Sequence, residues 1–527
     1  MTTELEGLKI SFDAGQMSRR EFLGRASALG LSAAAASILP NFAMAGEPIK
    51  GGHLKIGAGN GASTDTLDPA YAANDTNFLA LRHYGETLLN VKPTSDLEPR
   101  LAEEYASKDG INWEFKIRKG VEFHNGKSVT AEDVLKTIER HSDEKSKSGA
   151  RGLLTDIDRL STDGDTFKVA LKSPNADFPY YMADFHLVIQ PDGGKDDPGA
   201  GIASGPYKLE SNQPGIRYAF KKFPNYWDSN IGHVAESEVL VINDPTARNG
   251  ALQSGQVHMV NRVDPKVADR LKGMPGISIK NVSGRSHYVF IMHIDTPPFD
   301  NEDLRMALKL AIDRDEIVDK ILRGYGSVGN DMPINASYPL FDASIPQRRY
   351  DPEQAAAYYK KSGHDGTPII LHTADAAFSG AVEAAQLFQQ SAAKAGIPIE
   401  VRREPNDGYD TEVWNKQPFC AAYWAGRPTQ DQIYSTVYLS TAPWNDTRFK
   451  NADFDRLLVA ARSELDPAKR KKDYSDMGRI LRDEGGVIAP VFNDWIDAVS
   501  DKVGGFVPDP NWSLMNNMAA LKCWLTA

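Results

Sequence analysis

The stretch from Tyr288 to Gly326 constrains the chain more than any other. It opens with Tyr288-Val289-Phe290-Ile291-Met292-His293-Ile294, a near-continuous apolar run whose length and bulk suit a strand buried on both faces. Thr296-Pro297-Pro298 ends it. Asp300 is then expected to cap a helix whose third position is Asp303, with Phe299 placed to pack on Leu304. Leu304, Ala307, Leu308, Ala311 and Ile312 give that helix one apolar face. A second cap is expected at Asp313, with Glu316 three residues on and Ile312 set against Ile317, before Gly324 and Gly326 close the second helix. One buried strand thus feeds two capped helices, and 527 residues exceed a single ordinary core, so two or three domains are expected.

A charged fraction of 25%, an apolar fraction of 41% and the absence of low-complexity tracts describe a soluble globular chain. The net charge of -11 argues against nucleic acid or an anionic membrane surface as partner. At the N-terminus, Ser18-Arg19-Arg20-Glu21-Phe22-Leu23, a mildly apolar stretch from Ala26 to Leu39, and Ala43-Met44-Ala45 read as a twin-arginine export signal with an A-x-A cleavage pattern. The apolar stretch falls short of the ~18 residues that span a bilayer, so cleavage after Ala45 and a periplasmic mature protein are expected. Cys420 and Cys523 either form one disulfide in an oxidising compartment or remain two buried thiols.

Later stretches supply the rest of the framework. His53 to Gly57 makes a short strand running into the small-residue loop Ala58-Gly59-Asn60-Gly61-Ala62-Ser63. Asn112 to Arg118 alternates as a half-buried strand with Trp113, Phe115 and Ile117 inward. Gly120-Val121-Glu122-Phe123-His124-Asn125-Gly126 turns the chain, and Thr130 caps a helix with Asp133 at its third position. Thr166 to Lys172 alternates again, and Ser204-Gly205-Pro206-Tyr207-Lys208-Leu209 and Asn225-Tyr226-Trp227-Asp228 follow. Beyond the central stretch, a helix starting at Tyr350-Asp351-Pro352-Glu353, a strand over Thr367 to Leu371, a helix from Gly380 to Ala395 and a strand over Ile397 to Val401 indicate α/β layers.

These phrases, in this order, resemble the dipeptide/oligopeptide/opine/nickel-binding receptors of ABC importers, solute-binding family 5. The resemblance covers about residues 50 to 510 and rests on the central crossing, the G-V-x-F-H-x-G turn with its T-A-x-D-V helix, and the S-G-P-Y phrase. Asn125 stands where the family turn has aspartate. The resemblance implies an α/β, two-lobe periplasmic-binding-protein fold of type II with an extra subdomain on lobe one. Lobe I would comprise 46–76, 200–288 and 491–527, with 77–199 as the inserted subdomain, and lobe II 289–490.

No G-x-S-x-G elbow, H-E-x-x-H helix, P-loop or C-x-x-C is present, which favours a receptor over an enzyme, with no cofactor and no metal. His124 has no second histidine at ligand spacing and reads as a structural turn residue. The best pocket candidate is Ala421 to Asp431, a buried strand end followed by a loop from Gly426 to Thr429, where ligands commonly sit in α/β folds. The peptide receptors that this stretch resembles carry an aspartate shortly after the W-x-G, which holds the peptide ammonium. Here Arg427 takes that place, and its planar guanidinium suits a carboxylate or phosphate. The alternative is an Arg427 salt-bridged within the protein.

The expected binding set is Trp424, Gly426, Arg427, Tyr423 and Thr429, with Asp375 and Phe378, Asn406 and Tyr409, and Asn60 and Gly61 from other loops; Trp495 is a further candidate. The expected solute is a peptide or a carboxylate-bearing, opine-like amino-acid conjugate. An α-galactoside-like oligosaccharide is an alternative, and an exported cofactor-containing enzyme is one from another class. Expected partners are the ABC permease subunits and their ATPases, with the receptor itself a monomer.

Overall fold

The computed structural model describes residues 48–405, 409–442 and 444–526. Its spine is a pair of long antiparallel strands, Ile277–Met292 and Val487–Ser500. On one side the sheet continues through Phe419–Trp424, Ile369–Thr373 and Ile399–Arg403. On the other it continues through Met259–Val260, His53–Ala58, Glu236–Val241, Arg217–Lys222 and Tyr207–Gln213. With Gly326–Val328 pairing on Val487–Ser500, one 11-stranded sheet joins the two lobes.

The lobes have separate cores, the expected two-lobe α/β architecture. One core runs from Val289 to Val491 and includes the helices Glu302–Ala311, Ala381–Ala393 and Pro467–Glu484. The other gathers the N-terminal strand, the strands near Tyr218 and the C-terminal segment from Leu514 to Cys523. A third core lies over the four-stranded sheet of Ala102–Ala106, Asn112–Ile117, Thr166–Leu171 and Ile157–Asp163. The helix Asp75–Tyr84 buries Phe78, Leu79, Leu81 and Tyr84 in the first-lobe core, whereas the third core begins at Leu88. A subdomain start at residue 77 would divide that helix from the core it packs on.

In the central stretch, Val289 to Met292 are completely buried, as an apolar run of strand length requires, but the strand begins at Ile277, eleven residues before Tyr288, in a half-buried segment. Asn301, not Asp300, caps the helix Glu302–Ala311 by accepting from the Leu304 amide at 3.1 Å. Asp300 is still inside the preceding turn, and with two cap-forming residues in succession the helix starts one residue later. Asp313 caps Arg314–Lys320 through the Glu316 amide as expected, but Gly326 begins the next strand and does not close the helix.

The strands Ile369–Thr373 and Ile399–Arg403 lie two residues beyond the expected spans. Pro368 and Pro398 have no amide hydrogen to donate, so each ladder starts just after its proline. Thr130 and Asp133 form the reciprocal capping box expected for Ala131–Ser142. His124 is a buried turn residue whose Nε2 lies 2.9 Å from the Gly205 carbonyl. Cys420 and Cys523 are free, buried thiols in different cores, so the disulfide alternative is not formed.

Candidate solute-binding site

Between the lobes lies a cavity of about 1570 Å³. That exceeds the roughly 300 to 1,000 Å³ of an ordinary small-molecule pocket. The helix Asp75–Tyr84 lines one wall, Tyr180 to His186 the rim, the crossing strands a back wall, and the segments 375–380 and 423–428 the opposite wall. Along the strand Val487–Ser500, burial is relaxed at Asn493 to Trp495, and Asn493 and Trp495 line the cavity.

Of the expected residues, Asn60, Asp375, Phe378, Tyr423, Gly426 and Arg427 line this cavity, as does Trp495. Asn60 sits at φ 66°. Phe378 stacks flat on Tyr288, with ring centroids 4.0 Å apart, so most of its surface is spent on the wall itself. Gly426 passes directly over the Arg285 backbone, where a Cβ would lie 2.9 Å from the Arg285 carbonyl carbon.

Four other expectations are corrected and one lies outside the described residues. Trp424 points into the core and donates its indole N–H to Asp446 at 3.0 Å, because strand alternation sends it away from the face that Tyr423 shows. Thr429 is the N-cap of Gln430–Val437 and forms a capping box with Gln432. Tyr409 is buried in the core, its hydroxyl donating to the Ala421 carbonyl at 2.8 Å. Gly61 is not on the cavity wall; its amide donates to Asn243 Oδ1 at 3.0 Å, tying its loop to the segment after the strand Glu236–Val241. Asn406 is outside the described residues.

Arg427 is the most informative side chain in the wall. Its Nη1 donates to the carbonyls of Ala425 and Gly426 at 3.1 and 3.2 Å, which fixes the guanidinium against its own loop. Its backbone N–H donates to the Tyr338 hydroxyl at 3.3 Å. Among the described residues, Nε and Nη2 have no partner and no carboxylate stands at ion-pair distance. The internal salt bridge considered from sequence is therefore absent. Burial lowers the Arg427 pKa from its usual value, and the more distant Tyr338 and Asp184 offset this only in part.

Sequence reasoning missed several wall residues. Arg82 and Arg285 both line the cavity and both are held by neutral acceptors: Arg82 by Asn90 and the Ala183 carbonyl, Arg285 by the Ser337 carbonyl, Ser95 and Asn511. Burial lowers the pKa of each. Arg262 and Arg462 differ, because Asp75 and Asp431 stand 3.0 Å from them. Phe78, Phe185 and Trp512 add an aromatic face, and Trp444 an exposed ring. The available signal was spacing: Phe78 and Arg82 are one helical turn apart on a helix of which every residue is buried.

The lobes also touch across the cavity rim. Arg470 pairs with Asp177 at 2.7 Å, and the Tyr181 hydroxyl donates to Asp431 at 3.1 Å. The Ala176 amide donates to the Arg462 carbonyl at 2.8 Å. Among the described residues, no cluster of three or more His, Cys, Asp or Glu is arranged to hold a metal ion.

Two α/β lobes joined by a strand pair, with a large cavity between them, are the architecture of a solute-binding protein. The chain belongs to the bacterial extracellular solute-binding proteins, family 5, whose middle-region model matches residues 96–446. It is 26% identical over 475 residues to the glutathione-binding protein GsiB of Escherichia coli K12, spanning 86% of this chain and 92% of that one. Its fold matches the ABC transporter-associated periplasmic binding protein DppA of Helicobacter pylori in complex with the peptide STSA, with TM-score 0.75, 21% identity and coverage of 90% and 98%. It also matches AgaA of A. tumefaciens R10 in complex with agropinic acid, with TM-score 0.75, 23% identity and coverage of 90% and 99%. The protein is thus a substrate-binding receptor of an ABC importer, and not an enzyme.

Proposed function

We propose that this receptor captures a peptide or a carboxylate-bearing amino-acid conjugate, with Arg427 as the anchor for the carboxylate. The observation that carries the reading is the unpartnered Nε–Nη2 edge of Arg427 in the cavity wall. That edge is the side on which a guanidinium grips a carboxylate with two parallel hydrogen bonds. Asn60, Asp375, Phe378, Tyr423 and Gly426 complete the contact set with Trp495. The glutathione-, peptide- and agropinic acid-binding relatives are consistent with a solute of this class.

Binding works by closure. Contacts from both lobes stabilise the closed form, which a permease distinguishes from the open one. The moving parts are lobe II, 289–490, and lobe I, 46–76, 200–288 and 491–527 with its 77–199 subdomain, the helix Asp75–Tyr84 moving with lobe I. The receptor acts as a periplasmic monomer, needs no cofactor, and delivers to its permease and ATPase subunits.

Export uses the twin-arginine pathway with cleavage after Ala45; these residues lie outside those described. Replacing Arg19 and Arg20 with lysine is expected to leave uncleaved precursor in the cytoplasm, and normal export of that variant would reject the pathway.

The testing experiment is mass spectrometry of the solute released when protein purified from its own cell envelope is denatured. A carboxylate-bearing peptide or conjugate supports the reading. Exposed Tyr423 and Trp444 could stack on a sugar ring, so release of a neutral oligosaccharide would keep the receptor and remove Arg427 as a carboxylate anchor.

A further inference from the structure

Arg82 repeats the Arg427 arrangement on the opposite lobe. It stands on the buried helix Asp75–Tyr84, lines the same cavity and is 8% exposed. Its partners are all neutral: Nη1 donates to Asn90 at 3.2 Å and reaches Thr87 at 3.5 Å, and Nη2 donates to the Ala183 carbonyl at 3.3 Å. Nε makes no hydrogen bond, and among the described residues no carboxylate lies at ion-pair distance. Desolvation pulls the guanidinium down to about 10. Arg285 differs because its donors are consumed by Ser95, Ser337 and Asn511, so it buttresses the wall.

Asp184 acts at a distance on both Arg82 and Arg427, and Asp509 on Arg82, neither at ion-pair distance. Asp184 Oδ1 is engaged by His186, accepting from the backbone N–H at 2.9 Å and meeting ring Nδ1 at 2.7 Å. Two guanidinium groups, one per lobe, therefore face one cavity without a dedicated counter-ion. The wall between them is aromatic. Phe78, one turn before Arg82, meets Trp512 edge-on at 5.8 Å, and Trp512 stacks on Trp495 at 5.1 Å. Trp495 pairs with Val282 on the crossing strand, three residues before Arg285, on which the Gly426–Arg427 loop rests.

Resting on the carboxylate reading above, we propose that the solute carries two anionic groups, one held by Arg427 of lobe II and the other by Arg82 of lobe I, with its middle lying along the Trp495–Trp512 face. A buried cation without a partner is costly, so closure over a monoanion leaves one guanidinium uncompensated, whereas closure over a dianion neutralises both. Selectivity then comes from the penalty on the wrong solute as well as from contacts to the right one.

The test begins with the solute that native mass spectrometry shows on protein from its own cell envelope, or after incubation of empty protein in an extract of the same cells. Two groups ionised at neutral pH are expected. Calorimetry of that purified solute is then run on wild type, Arg82→Gln, Arg82→Lys and Arg427→Gln, with circular dichroism as a check on folding. Arg82→Gln is expected to raise Kd at least tenfold and Arg82→Lys to restore part of the loss. Esterifying one anionic group of the solute should cost wild type a similar factor, which serves if Arg82→Gln does not fold. A solute with one anionic group or none overturns the proposal, as does unchanged Kd in a folded Arg82→Gln. Weakening by Arg427→Gln alone would retain the carboxylate reading and reject the second anchor.

Discussion

Asp177 and Arg470 meet at 2.7 Å across the rim of the cavity, the aspartate from the segment that leads into the third core and the arginine from the helix Pro467–Glu484. Both side chains are largely buried, at 3% and 13% exposure. Separating the lobes would return both to water, so the pair weighs on the closed form. Removing one partner leaves the other charge buried, at a cost of about 3 to 5 kcal/mol for a fully buried pair. Arg470→Ala should therefore weaken solute binding and speed dissociation in stopped-flow measurements, and pairing it with Asp177→Asn should recover part of the loss. Equal dissociation rates in wild type and Arg470→Ala would remove the pair from the closing mechanism.

Arg427→Ala should weaken binding of the natural solute by about 2 to 5 kcal/mol, the range for truncating one partner of a buried, hydrogen-bonded charge pair. Thermal stability of the empty protein should hold or rise, because the guanidinium has no internal counter-ion to lose. Arg427→Lys should rescue poorly, since an ammonium cannot make the two-pronged contact. Unchanged affinity by calorimetry would exclude the anchor role.

Gly426→Ala should damage the site without touching a charge. The added carbon would fall against the backbone of Arg285, which cannot yield as a flexible side chain would. Overpacking of this kind costs about 1 to 3 kcal/mol. Loss of affinity is expected together with a lowered melting temperature, and a wild-type melting curve would show that the loop has room to shift.

Asp446 should make stability fall with rising pH. Its carboxyl is buried and pushed up to about 7 by that burial, against an ordinary 3.8, although the indoles of Trp414 and Trp424 donate to Oδ2; among the described residues Oδ1 has no hydrogen-bond partner. Raised in the folded state, the group gives stability that is complete below about pH 4 and is lost as pH rises to about 7. Every tenfold difference in acidity between the folded and unfolded carboxyl is worth about 1.4 kcal/mol. Asp446→Asn should flatten thermal melts compared between pH 4 and 8. Some slope should persist from Asp497, also held near 7 by burial. An unaltered pH profile would place the Asp446 carboxyl outside the titration.

The parts legible in the sequence are those where one physical demand acts alone. Val289 to Met292 are covered on both faces, and no pattern but an apolar run meets that demand. Arg427 stood out because a charge followed a buried strand end. Trp424 misled because an aromatic in a loop-proximal position suits a core or a pocket equally; the parity of the strand decides, and Tyr423 has the cavity face. Thr429 was a matter of competing roles, since Thr429 to Gln432 spells a capping box and the hydroxyl is consumed there. Arg82 and Arg285 were invisible for another reason. Arg82, in the last turn of its helix, reads as a partner of the helix dipole, and Arg285 sits in the crossing strand Ile277–Met292, where nothing in the local pattern marks it. Only the folded chain shows that among the described residues neither has a carboxylate at ion-pair distance.

The continuous sheet has a consequence for signalling. The ladder between the lobe-crossing strands is interrupted twice, between Ser283 and His287 and between Tyr288 and Phe290, and is regular on either side. Bending is cheapest where rungs are missing, so under the closure proposed above the lobes would be coupled through a notched leaf spring. Occupancy would then be encoded in the angle between them, and a permease touching the outer surfaces would read it without contact with the solute.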